Sequence, residues 1–232
     1  MSEPVITRAL SERQLRDDGS DDTAFLNREG IPLLRDMRTA WNQRNGRDAS
    51  SYRHAGGSGL EAWYIANAAV TGTTASTAVM TANRLYAVPF VAPARPASVD
   101  RLAFEVTALS AGNARMGVWD NTADNNLYPA ALLVDGGAVS TGTTGVKSVT
   151  VDVPLIAGQL YWLSLVCSAT PTVAVVPVGG YAGTILGIPS TFGGVDNTGV
   201  YVAFTYAALP STFPASGAFL TSSPPALGFR LS

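Results

Sequence analysis

Two short segments of the sequence alternate apolar and polar residues with a period of two, and this alternation most constrains the fold. In RLAFEVT (101–107) the large apolar residues fall at every second position, and VKSVTVDV (146–153) repeats the pattern. A period of two is typical of a strand with one buried face. QLYWLSLVC (159–167) is apolar on both faces, which favours a central strand.

Further strand-like segments, among them NARMGVWD (113–120), GVYVAFTYAA (199–208) and the terminal LGFRLS, lie between turn signals such as DGG (135–137) and AG (157–158). Short strands with turn signals about every 8–12 residues are typical of sandwiches and jelly rolls. No segment with helical periodicity interrupts them, which disfavours a parallel α/β sheet. The sequence therefore predicts a mainly β protein with an antiparallel, jelly-roll-like β-sandwich over residues 83–232.

The N-terminal part of the chain has a different composition. Residues 1–50 hold 17 of the 32 charged residues, and Leu34, Met37 and Trp41 follow Pro32 at the spacing of one helical face. We expect residues 1–50 to form a short α-helical attachment segment whose apolar stripe is buried against the chain itself, a symmetry mate or another protein. Residues 51–82, rich in Gly, Ser, Ala and Thr, are predicted to be an extended linker or arm in which Trp63, Tyr64 and Ile65 act as an anchor.

Composition excludes several classes of function. The net charge of −2 gives no bulk attraction to nucleic acid or to an anionic membrane. No run approaches the ~18 apolar residues of a membrane span, and the N-terminus has no apolar signal-peptide core. The single cysteine, Cys167, lies in an apolar run and is interpreted as a core residue, since the one histidine, His54, lies in a different segment. No metal or cofactor is predicted.

The stretch GVWDNTADNNLYP (117–129) is the candidate ligand site, because it combines flat aromatic rings with short polar groups. Such residue types bind sugars, sometimes around calcium. The alternative interpretation is a structured loop whose tryptophan packs into the core. The predicted ligand-binding residues are Trp119, Asp120, Asn121, Asp124, Asn125 and Tyr128.

Catalysis has weaker support in the sequence. The chain contains no phosphate-binding loop, no dinucleotide-binding glycine pattern, no HExxH and no GxSxG motif. A glycosidase would need two paired carboxylates, for which Asp120, Asp124 and Asp196 are the candidates, but nothing in the sequence pairs them. We therefore predict a protein that is not an enzyme, with a polysaccharide depolymerase as the alternative.

Four segments together carry a resemblance to a known family: TANRLYAVPFVAP (81–93), VDRLAFEVT (99–107), residues 114–151, and LIAGQLYWLSLV (155–166). They resemble a β-sandwich module of tailed-bacteriophage and prophage virion proteins, which is similar to carbohydrate-binding jelly rolls. The resemblance implies assembly in the host cytoplasm and release by lysis, which fits the missing signal peptide. It also implies a trimer or another symmetric oligomer, attached to other virion proteins by the N-terminal segment.

The sequence thus predicts a non-enzymatic virion structural protein of the fibre or spike type. Its β-sandwich would attach the particle to host surface polysaccharide. The alternative role is a capsid decoration, cement or tail-assembly protein whose β domain only contacts neighbouring virion subunits. That alternative predicts that Trp119 and Tyr128 are buried.

Overall fold

The computed structural model describes residues 63–66, 76–93, 97–121, 127–177, 186 and 197–231. The chain divides into two units, Met1–Ser51 and Tyr52–Ser232, and every described residue belongs to the second. The predicted N-terminal helix, with Leu34, Met37 and Trp41, therefore lies outside the described residues. Within these ranges, no helix has the length and apolar character needed to cross a membrane.

The described residues form twelve strands and no helix. Their bounds are β1 (Tyr64–Ile65), β2 (Ser76–Val79), β3 (Arg84–Val91), β4 (Ala97–Ala108), β5 (Asn113–Asn121), β6 (Pro129–Ser140), β7 (Gly145–Leu155), β8 (Leu160–Cys167), β9 (Thr172–Val175), β10 (Gly199–Ala203), β11 (Ala218–Leu220) and β12 (Gly228–Leu231).

The strands form two antiparallel sheets of six strands each. Sheet I has the order β1-β12-β4-β9-β2, with β7 paired to the other edge of β4. Sheet II has the order β11-β10-β3-β8-β5-β6. The chain crosses repeatedly from one sheet to the other, for example between β3 and β4, β4 and β5, and β6 and β7.

A shared hydrophobic core joins the two sheets. Sheet I contributes Leu102 and Phe229 to this core, and sheet II contributes Phe90, Val118 and Leu163, all of them buried. The rings of Phe90 and Phe229, one from each sheet, lie 4.6 Å apart between centroids. The prediction of a mainly β protein is therefore confirmed for the described residues, which form two antiparallel sheets consistent with a β-sandwich.

A second core covers the other face of sheet II. Trp119, Trp162 and Val166 project from β5 and β8 away from sheet I and pack against Leu209 and Phe213. The last two belong to a segment without long strands, residues 204–217, which we call the strap. Sheet II is thus buried on both faces, which explains why 159–167 carries apolar residues on both faces and confirms the prediction of a central strand there.

Backbone hydrogen bonds fix the strap at both sides of sheet II. The Phe204 amide donates to the Asn83 carbonyl at 2.9 Å, beside the start of β3. At the β6 edge of the sheet, the Leu132 amide donates to the Ser211 carbonyl, and the Phe213 amide donates to the Ala130 carbonyl, both at 2.9 Å. The strap therefore crosses the sheet and pairs with the edge of β6, where it satisfies backbone groups that an edge strand would otherwise expose.

One predicted turn is wrong. DGG (135–137) lies inside β6, which continues to Ser140, so the chain makes an irregularity in a continuous strand and not a hairpin turn. Gly137 has a φ of +84°, a conformation that glycine adopts without strain, and its amide donates to Asp135 Oδ1 at 2.9 Å. The AG turn (157–158) is confirmed, with Gly158 at a φ of +74°.

Two strands lie inside the predicted linker 51–82. β1 pairs with β12, and β2 pairs with β9, so both belong to sheet I. Tyr64 packs its ring 5.7 Å from that of Phe229, which confirms the expected anchor at residues 63–65. The β structure therefore begins before residue 83.

Substituting Gly199 with alanine is expected to destabilise the fold by about 1–3 kcal/mol, the usual cost of overpacking. A Cβ atom at this position would lie 2.5 Å from the Ala87 carbonyl oxygen, so β10 would have to move away from β3. Chemical denaturation measures the change. The control is Gly142→Ala, where the nearest atom is the Ser140 hydroxyl at 3.3 Å. Equal stability of the two variants would contradict the close approach of β10 and β3.

Candidate functional site

The predicted ligand residues lie where β5 ends and β6 begins, at one end of the two-sheet unit. Asp120 is opposite Tyr161 at the start of β8, and Asn121 is opposite Pro129 at the start of β6. The structure therefore places Trp119, Asp120, Asn121 and Tyr128 at the same end. Asp124 and Asn125, and the depolymerase candidate Asp196, lie outside the described residues.

Trp119 is fully buried beneath the strap, with 0% of its surface exposed. Its indole nitrogen donates to the Ser164 hydroxyl at 2.7 Å, and its ring meets the edge of Phe213 at 5.0 Å between centroids. Both the ring face and the polar atom of Trp119 are therefore occupied inside the protein. In this structure a sugar cannot stack on the ring, and the residue packs as the alternative interpretation expected.

Tyr128 holds the strap through both its ring and its hydroxyl. The hydroxyl donates to the Pro214 carbonyl at 2.8 Å and accepts from the Gly217 amide at 2.8 Å. The ring packs edge-on against Phe213, with 5.5 Å between centroids. The half-buried Tyr128 thus fixes the C-terminal end of the strap through these contacts.

Asp120 and Asn121 keep half-exposed side chains at the end of β5. Asp120 Oδ1 accepts from the Asn121 amide at 2.8 Å and from Gln159 Nε2 at 3.4 Å. Asn121 Oδ1 accepts from the Trp162 indole nitrogen at 3.0 Å. These contacts order the end of the strand, and of the four described candidates these two present polar atoms that a ligand can reach.

The remaining carboxylates of the described region have evident structural surroundings. Asp100 pairs with Arg230 at 2.5 Å, and Asp135 pairs with Arg115 at 2.6 Å. Glu105 is exposed on the polar face of its strand, as predicted. Within the described ranges, no three His, Cys, Asp or Glu side chains are grouped as a metal site.

Asp135 connects three parts of the chain. Besides Arg115, its Oδ2 accepts from the Leu209 amide of the strap at 3.0 Å, while Oδ1 accepts from Gly137. The carboxylate therefore holds the middle of the strap against β6.

Burial raises the pKa of the neighbouring Tyr206 hydroxyl above its ordinary value, although the positive charge of Arg115 acts against this.

Cys167 is buried at the end of β8, which confirms its interpretation as a core residue. Burial raises the pKa of the thiol to about 12, because an apolar environment disfavours the thiolate. Since the thiolate is the reactive form, we expect no reaction with a disulfide reagent such as DTNB in the folded protein. Labelling should occur on unfolding in urea. Rapid labelling of the folded chain would contradict this burial.

The same thiol gives a pH dependence with a definite sign. The folded chain holds the proton more tightly than the unfolded chain, whose thiol has the ordinary pKa of 9.0. The stabilising contribution is therefore complete below pH 9.0 and is lost as the pH rises towards 12. When urea denaturation is measured across this pH range, the free energy of unfolding of the Cys167→Ala variant should fall less than that of the native chain. Parallel losses would contradict the raised pKa.

A second surface with an aromatic ring and charged groups lies on the outer face of sheet I, and the sequence interpretation did not identify it. In the strand register, Arg101 lies between Arg230 of β12 and Thr150 of β7. Trp63 lies on the same face, next to Gly228. The residues come from distant parts of the sequence, so only the pairing of β1, β12, β4 and β7 brings them together.

Comparison with known proteins gives no assignment: no family model matches the chain, and no curated protein matches it significantly. The resemblance to virion modules therefore rests on the sequence segments themselves.

Proposed function

We propose that this chain is a non-enzymatic structural protein of a tailed-bacteriophage particle, of the fibre or spike type. Residues 1–50 attach it to other virion proteins as a short α-helical anchor, and the β unit binds host surface polysaccharide. The sequence resemblance supports the virion assignment. The repeated crossing of the chain between two antiparallel sheets supports the jelly-roll-like class.

The observation that carries the attachment role is the outer face of sheet I. Both faces of sheet II are covered, one by sheet I and the other by the strap, with the buried Trp119 and Trp162 beneath it. The outer face of sheet I instead presents a partly exposed tryptophan, two arginines and exposed hydroxyl groups. A rigid surface with an aromatic ring and fixed polar groups is suited to binding a saccharide without a large conformational cost.

A homotrimer is part of the proposal, since the resemblance implies a symmetric oligomer. Sedimentation-equilibrium measurements on the full chain should give three times the mass of one chain, 24.1 kDa. A monomer at all accessible concentrations would remove this part of the proposal.

The second candidate is a decoration, cement or tail-assembly protein that contacts only neighbouring subunits. The burial of Trp119 and the internal contacts of Tyr128 favour it, because that role requires no aromatic residue at the loop to meet a sugar. Several large apolar side chains are also exposed, and such residues can lie in contacts between subunits: Val79, Leu109, Leu127, Leu133, Val146, Ile156 and Phe219.

An adsorption assay separates the two roles. Purified full-length chain is added to host cells before the phage that carries this protein. An attachment protein occupies the receptor and should lower the adsorption rate in proportion to its concentration. A cement protein leaves adsorption unchanged even when the chain is in large excess, and that result would refute the attachment role.

A further inference from the structure

Building on the proposed attachment function, we infer that the outer face of sheet I binds an acidic saccharide. The site consists of Trp63, Arg101, Thr150 and the Arg230–Asp100 ion pair. It is distinct from the loop after β5, and it lies on the other side of the molecule from the strap.

Trp63 supplies an aromatic surface for a sugar ring. The next residue, Tyr64, packs into the core against Phe229, so Trp63 lies on the opposite, outer face of the sheet. Its ring edge lies 3.5 Å from the position that a Cβ would take on Gly228. Because Gly228 has no side chain, the indole can lie close over β12 while remaining partly exposed. Aromatic faces of this kind bind the apolar face of a pyranose.

Arg101 supplies a cation on the same outer face as that aromatic surface. Leu102 points into the core, so Arg101 points to the outer face. Within the described part of the chain, its Nε is buried and has no hydrogen-bond partner. A buried donor without an acceptor costs about 1–3 kcal/mol, so buried polar atoms of folded proteins are nearly always paired. Since Nε is buried in this structure, a ligand acceptor reaches it only when the Arg101 side chain turns outward, and that contact would remove this cost.

The ion pair between Arg230 and Asp100 forms a polar surface of fixed geometry between Trp63 and Arg101. Arg230 Nε donates to Asp100 Oδ1 at 2.8 Å, and Nη2 donates to Oδ2 at 2.5 Å, which is a two-point arrangement. Asp100 is therefore committed to Arg230 and does not neutralise Arg101. Because the Arg230 and Asp100 side chains fix each other's position, the polar atoms at the exposed edge of the pair are already oriented for sugar hydroxyls.

The charged side chains and hydrogen-bond donors on the outer face of sheet I together define the class of ligand that this site binds. Arg101 and the exposed hydroxyl of Thr150, its cross-strand neighbour, suit a carboxylate substituent. Trp63 suits the ring that carries it. Asp152, two residues beyond Thr150, and Glu105, four residues beyond Arg101, are exposed on the same face and disfavour a second carboxylate near them. The geometry therefore fits a saccharide with separated carboxylates, such as a polymer of hexuronic or sialic acid.

Calorimetric titration of the full chain tests the site. The probes are oligosaccharides of polygalacturonate, hyaluronate and polysialic acid, with dextran oligosaccharides as the neutral control. We expect binding to at least one acidic probe, weaker binding at higher salt, and none to dextran. Trp63→Ala and Arg101→Gln should each weaken binding at least about tenfold, which corresponds to 1.4 kcal/mol.

The matched control is Arg84→Gln, because Arg84 lies over the Tyr201 ring of sheet II, 4.6 Å from its centroid, and takes no part in this site. Its affinity should equal that of the native chain, and melting temperatures should show that all variants fold. Absence of binding to all three acidic probes would overturn the inference. So would native affinity in both site variants, or equal affinity for dextran.

Failure of the saccharide site can be distinguished from failure of the proposed function. If the native chain blocks phage adsorption and the two site variants block it equally well, attachment stands and this site is overturned. If the chain binds the acidic probe through Trp63 and Arg101 but does not affect adsorption, the saccharide site stands and the attachment role falls.

Discussion

Replacing Trp119 with alanine is expected to lower the free energy of unfolding by about 3–5 kcal/mol, the range observed when a large aromatic side chain is removed from a core. The residue is completely buried between sheet II and the strap, so the substitution leaves a cavity beneath Phe213. It also removes the donor to Ser164, a buried hydroxyl. Urea denaturation followed by circular dichroism measures the loss.

The control for Trp119 is Leu109→Ala, because Leu109 is 59% exposed and should change stability by less than about 0.5 kcal/mol. A loss below about 1 kcal/mol for Trp119→Ala would place the indole at the surface. In that case the sugar-binding interpretation of the loop after β5 would regain its aromatic residue.

The second large effect is expected for Asp135→Ala, at about 2–3 kcal/mol, because hydrogen bonds to a charged acceptor are worth more than neutral ones. The substitution leaves Arg115 without its carboxylate partner and the Leu209 amide without its acceptor. We expect the strap to respond first. Hydrogen exchange at the Leu209 amide should accelerate more than exchange at central β8 amides.

Asp152→Ala is the control, since Asp152 is exposed on β7. Its free energy of unfolding and the hydrogen-exchange rates of its strap amides should match those of the native chain. If Asp135→Ala changed neither quantity relative to this control, the carboxylate would not be the attachment point that holds the strap against β6.

The sequence predicted those parts of the fold that follow from local periodicity. In β7 the alternation of residues matches the alternation of buried and exposed positions, because one face of the strand lies on the core and the other in solvent. In β4 the match holds except at Ala103, which is buried on the outer face. The apolar run 159–167 indicated a strand buried on both faces. It could not indicate what covers the second face, since the strap contacts β8 only through the tertiary fold.

The errors have physical causes of the same kind. DGG has turn chemistry, yet pairing with β5 carries the strand through it and uses glycine for an irregularity. The predicted strand over 199–208 ends at Ala203, because the Asn83 carbonyl and side chain capture the amides of Phe204 and Tyr206 and redirect the chain across sheet II.

The candidate site shows the same limit. Trp119, Asp120, Asn121 and Tyr128 lie at one end of sheet II, but their proximity in the sequence gave no information on which side of that sheet the tryptophan lies. Trp63 was interpreted only as an anchor, and its proximity to Gly228 and to the arginines depends on strand pairing across the chain. Residues that meet through register cannot be identified by their spacing.

The most direct test of the proposed virion attachment function is the position of this chain in a cryo-EM map of the assembled particle. We expect a symmetric oligomer that projects outward, with residues 1–50 at the particle and the outer face of sheet I accessible to solvent. The chain's absence from the particle would contradict the virion assignment. A β unit wedged between shell or tube subunits, with Trp63 and Arg101 covered by protein, would contradict host attachment and identify the chain as a cement protein.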